Sequence, residues 1–353
     1  MNTVIIIPAL NPDERLVRLV DTLTAINLDK IIVVDDGSDD AYKGIFKSLE
    51  SYNCTVLHHM TNLGKGQAIK TAIDEIAKNY PDVNGFVTAD SDGQHTAEDI
   101  KNICCEMQKN ENSLILGVRD FNDSNVPFKS RYGNRFSSAY FKLVTGTECP
   151  DTQTGLRGIP ILLFDIATET EGSRYEYEMN FLMNVARKKI PIIFMPIQTI
   201  YTDNNKQSHF RPIADSARIY GTPLKFAASS LICAAADLSL FTLLTLVINN
   251  NVATVVTAST VIARMFSGVL NFFLNRKWSF LSSKNKISSQ AVKYTALFII
   301  QMTISSLSVT ALSSIGLPLT VIKIFVDSIL FIFSYFIQKK WIFNKNLEGI
   351  DAK

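Results

Sequence analysis

The chain has 353 residues, room for two or three domains, and its 35 Lys and Arg against 33 Asp and Glu leave a net charge of only +2. With no long basic tract and no zinc-ligand spacing, that balance argues against nucleic acid as a partner. Five cysteines, Cys54, Cys104, Cys105, Cys149 and Cys233, include no C-x-x-C pair and suit reduced thiols in a cytoplasmic compartment better than a disulfide framework.

Composition is split. To about residue 220 charged and apolar runs alternate as in a soluble α/β protein, and beyond it the chain is mostly apolar. The amino terminus has no basic flank and too short an apolar run for a signal peptide, so Val4 to Ile7 reads as a first strand ending at Pro8. The loop to Glu14 leads into a helix with an apolar face of Leu16, Leu19, Val20 and Leu23. A strand at Ile31 to Val34 ends in Asp35-Asp36-Gly37-Ser38. One near Thr55 to Leu57 precedes the turn Asn62-Leu63-Gly64-Lys65-Gly66 and a helix facing inward with Ala68, Ile69, Ala72, Ile73 and Ile76. Short apolar runs alternating with amphipathic helices predict parallel βαβ units, whose ligands sit beyond the carboxyl ends of the strands.

The strand Gly85-Phe86-Val87 runs into Thr88-Ala89-Asp90-Ser91-Asp92-Gly93-Gln94-His95. Alternate residues of an extended or turning backbone point one way, so Asp90 and Asp92 can face one site, and oxygen ligands on a short loop suit Mg²⁺ or Mn²⁺. An acidic turn before a helix, with Thr96 as N-cap and Asp99 three residues on, accounts for the same residues. Further along come the strand Leu114 to Leu116 with Gly117 and Arg119, a helix carrying Arg131, Asn134 and Arg135, and the polar loop Asp151 to Arg157. Arg174 to Met179 opens another helix, and the strand Ile192 to Met195 leads to a polar loop at Tyr201 to Ser208.

In this order, Pro8-Ala-Leu-Asn11, Val34-Asp-Asp-Gly-Ser38, Asn62-x-Gly-Lys-Gly66, Asp90-x-Asp-x-Gln94, Gly117-x-Arg119 and Asp151-x-x-Thr-Gly-x-Arg157 resemble family 2 glycosyltransferases of GT-A fold, an α/β, mostly parallel sheet. Within them the polyprenyl-phosphate sugar synthases, of dolichyl-phosphate mannose synthase or undecaprenyl-phosphate glucosyltransferase type, are most similar. The resemblance implies a nucleotide-sugar donor, UDP-hexose or GDP-mannose, with base and ribose at Pro8, Leu10, Asn11 and Asp36, and Val34, Lys65, Ser91 and Arg157 also on the donor. It implies a metal at Asp92 and Gln94, with Asp90 on donor or metal, and a lipid phosphate held by Arg119 and Arg131. Arg135 joins them by helical spacing. Two departures stand out: Pro12 replaces the usual glutamate, so that either Asp13 or Glu14 substitutes or the contact is absent, and Ser208-His209 replaces Ser-Lys, leaving Lys206 or Arg211 for the diphosphate.

Four segments reach the roughly 20 apolar residues of a bilayer span, at 224–248, 252–274, 291–313 and 317–337. Lys and Arg cluster before the first, between the second and third and after the fourth, placing the catalytic half, central loop and carboxyl terminus in the cytoplasm. Asn271-Phe-Phe-Leu-Asn-Arg-Lys-Trp-Ser-Phe280 matches Ser334-Tyr-Phe-Ile-Gln-Lys-Lys-Trp-Ile-Phe343 without gaps, so two helical hairpins related by duplication are expected. This half resembles the GtrA-like membrane family. Asp237, Arg264, Lys323 and Asp327 fall inside the spans, as a structural salt bridge or as a polar path for a sugar-phosphate headgroup. The expected domains are a GT-A enzyme at 1–208, an interfacial helix at 209–223, a membrane domain at 224–343 and a tail at 344–353.

These readings converge on an inverting, metal-dependent transfer of a hexose (glucose, GlcNAc or mannose type) to undecaprenyl or polyprenyl phosphate, making a lipid-linked sugar for surface polysaccharide or teichoic acid modification, by a multi-pass and possible homo-oligomeric membrane protein. The alternatives are a lipid-linked sugar translocator, or transfer to a hydroxyl, for which Asp151 or Glu178 would be the base.

Overall fold

The computed structural model describes residues 2–52, 54–121, 126, 128–198, 220–247, 252–282, 286–312, 315 and 317–343. The chain divides into two compact units, Met1–Ile219 and Tyr220–Lys353.

In the first unit β1 (Thr3–Ala9), β2 (Ile31–Asp35), β3 (Thr55–His58), β4 (Gly85–Thr88), β5 (Leu114–Val118), β6 (Arg157–Pro160) and β7 (Ile192–Pro196) form one sheet in the order β3-β2-β1-β4-β6-β5-β7. All pairings are parallel except those of β6, which runs antiparallel to both β4 and β5. Every residue of β1 and β2 is buried, as continuous apolar strands covered on both faces must be. The helices between them are α1 (Glu14–Ala25), α2 (Lys43–Leu49), α3 (Lys65–Asn79), α4 (Ala97–Lys109), α5 (Phe128–Thr145), α6 (Phe164–Glu169) and α7 (Glu176–Arg187). The expected inward residues of α1 and α3 are all buried, and those of α1 pack with Ile5, Ile7 and Val33.

The register aligns the strand ends that carry the motifs. Ala9 pairs with Asp35 and Ile6 with Thr88, so the loops after β1, β2 and β4 leave the same edge of the sheet. The strand β6 departs from the sequence reading, which ran a loop through Arg157. It pairs Thr88 with Arg157 and so lays the Asp151–Arg157 segment beside the acidic turn.

The second unit contains α8 (Gly221–Val247), α9 (Val252–Leu274), α10 (Ile287–Leu312) and α11 (Leu319–Ile337). Among the described residues α8 alone is both long and apolar enough to cross a membrane. The helices pair as hairpins, α8 on α9 and α10 on α11, and the two repeated segments share one local geometry. Each ends its hairpin in a π-helical turn, Asn275–Ser279 after α9 and Gln338–Ile342 after α11. Equivalent residues of the copies meet: the Asn275 amide donates to Gln338 Oε1 at 3.0 Å, and the Phe280 and Phe343 rings stack with centroids 5.3 Å apart. The described charged residues expected inside the spans are bonded within hairpins. Arg264 lies 3.8 Å from Asp237, and Ser305 donates to Asp327 at 2.6 Å. The Lys323 side chain, the tail and residues 209–219 of the interfacial segment lie outside the described residues.

Candidate active site

Thr88 closes β4 with its hydroxyl donating to the Gly155 carbonyl at 2.7 Å, and the chain then turns through Asp90 and Asp92. Asp90 accepts from Lys65 Nζ at 2.7 Å through Oδ1 and stands 3.3 Å from His95 Nε2 through Oδ2. Asp92 accepts the Gln94 amide through Oδ1 at 3.1 Å, a local Asx turn, and among the described residues its Oδ2 has no hydrogen-bond partner. Thr96 caps α4 by accepting from the Asp99 amide at 3.0 Å. The acidic segment is therefore a helix entry that also places two carboxylates at a strand end.

The two carboxylates differ electrically. Burial works against the Asp90 carboxylate, but the Lys65 ammonium and the His95 hydrogen bond outweigh it and hold its pKa far below the ordinary range. Burial and then the Asp90 charge push the Asp92 carboxyl up, against the opposing Gln94 amide. Burial also disfavours the Lys65 ammonium, yet Asp90 and Glu178 raise its pKa well above the ordinary lysine value. Glu178, on the first turn of α7, ion-pairs with Lys65 at 3.0 Å.

Other expected donor residues turn out to organise loops. Asp36 is 4% exposed; its carboxylate accepts the Leu63 and Gly64 amides at 2.9 and 2.8 Å and pairs with His59 at 2.8 Å, so its described contacts shape the turn that delivers Lys65. Those amides lie at the mouth of α3, where backbone donors lack helical partners. Asn11, with φ +48°, ties the first loop to the second: its amide donates to Ser38 Oγ at 2.8 Å and its Oδ1 accepts the Asp39 amide at 2.9 Å. Pro8 and Val34 are register partners within the buried sheet, while Leu10 and Ser91 are half-buried. Asp13 N-caps α1 and pairs with Arg15 at 3.0 Å. The Arg15 stem borders the acidic turn, because a Cβ at Gly93 (φ +73°) would lie 3.3 Å from its carbons. Sequence reasoning missed Arg15, since i+2 from a helix cap is not a recognisable signal.

Arg119 forks onto Asp151, with Nε 2.7 Å from Oδ2 and Nη2 3.0 Å from Oδ1, and Asp151 is fully buried. On α5, Asn134 donates to the Pro150 carbonyl at 2.6 Å and Ser137 bonds Thr152 at 2.6 Å, so this helix is clamped to the same loop. Arg131, one turn before Asn134, is half-buried and Arg135 is exposed. Arg157 is 2% exposed and braces two backbones, donating to the Thr154 carbonyl at 3.0 Å and the Glu178 carbonyl at 2.7 Å. Lys206 and Arg211 lie outside the described residues. Among the described residues no three His, Cys, Asp or Glu side chains converge as a metal cage.

Residues 4–167 match the family Glycosyl transferase family 2, and residues 225–343 match the GtrA/DPMS transmembrane domain. The UDP-N-acetylglucosamine–dolichyl-phosphate N-acetylglucosaminyltransferase of Methanococcus voltae is 30% identical over 217 residues, covering 56% of this chain and 86% of the relative. An uncharacterized protein of Methanocaldococcus jannaschii is 28% identical over 203 residues, covering 56% and 82%. Among solved structures, glucosyl-3-phosphoglycerate synthase from Mycobacterium tuberculosis superposes with a TM-score of 0.46 at 14% identity over 63% of this chain and 77% of that one. Mannosyl-3-phosphoglycerate synthase from Rubrobacter xylanophilus gives 0.43 at 15% identity over 62% and 75%. The chain belongs to glycosyl transferase family 2: it is a glycosyltransferase of GT-A fold joined to a GtrA-type membrane domain.

Proposed function

We propose that this enzyme moves a hexose from a nucleotide sugar, a UDP-sugar first among them, to a polyprenyl phosphate at the membrane surface, with inversion. The observation that carries the reading is Asp92: a carboxylate with one oxygen to spare, raised in pKa by burial and by its neighbour, at the end of a central strand. A cation relieves that crowding, and Mg²⁺ or Mn²⁺ binds through one or two carboxylates with water and substrate phosphate filling the rest. Asp92 and Gln94 would hold it, with Asp90 contributing through the face that Lys65 and His95 leave open. When bound, the ion supplies charge stabilisation for the departing diphosphate.

Two features support a lipid phosphate as acceptor. A lipid phosphate has its second ionisation near pH 6 and attacks as an oxyanion without a base. Of the carboxylates expected to serve a hydroxyl acceptor, Asp151 pairs with Arg119 and Glu178 with Lys65. Phe128, Tyr132 and Phe136 recur every fourth residue on α5 and are 70%, 58% and 62% exposed, on the helix that carries Arg131 and Arg135. An aromatic stripe flanked by arginines suits a lipid surface, with the arginines taking the phosphate. The name of the Methanococcus voltae relative supports the same acceptor class and favours N-acetylglucosamine as the first sugar to try. The membrane domain would be multi-pass, with the basic loops and the catalytic unit cytoplasmic.

Purified full-length chain in detergent, given labelled UDP-N-acetylglucosamine, UDP-glucose or GDP-mannose with undecaprenyl phosphate and Mg²⁺ or Mn²⁺, is expected to yield a lipid-linked sugar with one of them, and Asp92→Asn to yield none. Product formation without a membrane also separates an enzyme from a translocator. Failure with every donor, or full turnover in Asp92→Asn, would sink the reading.

A further inference from the structure

One ammonium serves two carboxylates between the start of α3 and the start of α7. Lys65 Nζ lies 2.7 Å from Asp90 Oδ1 and 3.0 Å from Glu178 Oε1, and the three side chains are 14%, 30% and 11% exposed. The surroundings fix this arrangement from several directions. A Cβ at Gly66 would lie 2.5 Å from Cβ of Tyr177, so glycine beside Lys65 is what lets the first turn of α7 approach. The Gln67 amide donates to the Ser173 carbonyl at 2.9 Å, and Arg157 holds the Glu178 carbonyl at 2.7 Å. Glu178 therefore stands where it does because α3 packs against the segment that leads into it and Arg157 of β6 holds its own carbonyl.

The consequence is a matter of charge. With Asp90 and Glu178 both ionised, a single Lys65 leaves the cluster with one net negative charge beside that of Asp92. Were Asp90 the sole partner of Lys65, the two would form a closed, neutral pair, and a cation at the turn would meet Asp92 alone. We propose that Glu178 is a positioning residue for the divalent-cation site: by taking a share of Lys65 it leaves the Asp90 charge incompletely neutralised toward an ion at Asp92. This rests on the cation reading above and concerns affinity for the ion before donor or lipid arrives.

The test is Mn²⁺ titrated into the full-length chain in detergent, without nucleotide sugar or lipid, with free ion read by electron paramagnetic resonance and folding followed by circular dichroism. Glu178→Gln is expected to weaken binding about tenfold, the usual scale for a residue behind a metal ligand. Glu178→Asp, which keeps the charge but withdraws it by one methylene, should fall between Glu178→Gln and wild type, a graded rescue that a purely structural role would not produce. Asp92→Asn should abolish binding. If both Glu178 variants bind as wild type while Asp92→Asn does not, the positioning role is overturned and the cation reading stands. If Asp92→Asn binds as wild type, the cation reading falls and takes this inference with it. Should Glu178→Gln fail to fold, Glu178→Asp decides: weaker binding supports the role, and wild-type binding overturns it.

Discussion

Arg119 and Asp151 face each other as a fork on a carboxylate, two N–H donors on two oxygens at 2.7 and 3.0 Å, with the acid fully buried and the Arg119 side chain 17% exposed. The Arg119 and Gln153 backbone amides add two more bonds to Asp151, at 3.3 and 3.0 Å. The acid thus orients an arginine that the proposed reaction needs at the lipid phosphate, and it sets the turn before β6. Removing it leaves a partly buried guanidinium uncompensated, so Asp151→Ala is expected to cost about 3–5 kcal/mol. Denaturant melts of the detergent-solubilised protein check this. A loss below 1 kcal/mol would mean that Arg119 finds another partner as good.

The carboxylates of the acidic turn respond to pH in opposite senses. The Asp90 pKa is depressed, so its stabilisation is full above the ordinary carboxylate value of about 3.9 and is lost as pH falls through the lower folded value. The Lys65 pKa is raised, so its share is full below about 10.4 and is lost only as pH rises through the higher folded value. The Asp90–Lys65 pair should therefore contribute a constant stability from about pH 5 to 9, read as the coupling of Asp90→Asn with Lys65→Met in denaturant melts. Asp92 is raised instead, so its ionisation opposes folding, with no cost below the ordinary carboxylate value and a growing one as pH rises through the folded pKa. In EDTA at neutral pH, Asp92→Asn should melt higher than wild type while losing transfer. An Asp92→Asn melting temperature below wild type would remove the crowding argument for a cation.

Much of this arrangement is readable before any coordinates exist, for identifiable reasons. β1 and β2 are legible because a parallel sheet covered on both faces demands unbroken apolar runs, and Ile5-Ile6-Ile7 and Ile31-Ile32-Val33-Val34 are such runs. β6 is not, because Arg157-Gly158-Ile159-Pro160 mixes a charge, a glycine and a proline, and only pairing with β4 and β5 makes it a strand. The motif residues were legible as types, while their partners were not. Asp36 reads equally well as a nucleotide ligand or as an acceptor for the turn at Leu63 and Gly64, and a left-handed Gly64 (φ +103°) decides which amides reach it. Glu178 and Lys65 are 113 positions apart, so only the fold brings them together.

The cysteines give a chemical check on burial in the first unit. Burial pushes the thiols of Cys104 and Cys149 up to about 12. At pH 8 only about one such thiol in 10,000 is ionised, against roughly a quarter of free thiols with a pKa of 8.5. Iodoacetamide at pH 8 should leave both unmodified in the folded protein and label them in denaturant, as read by mass spectrometry of peptides. Rapid labelling of Cys104 in the native state would mean that α4 does not pack as described.

In the membrane unit, the Asn275–Gln338 bond joins the same position of two repeated segments, and Asn275 also accepts from Ser229 at 2.5 Å. Interhelical hydrogen bonds of this kind contribute modestly, about 0.6 kcal/mol and at most about 1.7. A double-mutant cycle with Asn275→Ala and Gln338→Ala, read by unfolding in mixed micelles, should give a coupling in that range. Zero coupling would mean that the repeats are held by their aromatic contacts, Phe280 on Phe343 first among them.

Gly155 offers the sharpest steric test, because its neighbour is Asp90, the carboxylate proposed to stand beside the cation. A Cβ there would lie 2.3 Å from Oδ2 of Asp90 and 2.8 Å from its Cγ, closer than any real contact. Something must move, and the Gly155 carbonyl is pinned by Thr88 at 2.7 Å while the following residues pair into β6. The yielding group is then the Asp90 side chain, which would leave Lys65 and His95. Overpacking of this kind costs about 1–3 kcal/mol, so Gly155→Ala should lower the melting temperature and cut transfer severely. Gly44 is the control: it lies inside α2 with open space around its Cα, and Gly44→Ala should stabilise by about 0.5–1 kcal/mol with activity unchanged. Gly155→Ala with wild-type turnover would show that Asp90 can leave its two partners without consequence, which would undo its assigned place beside the cation.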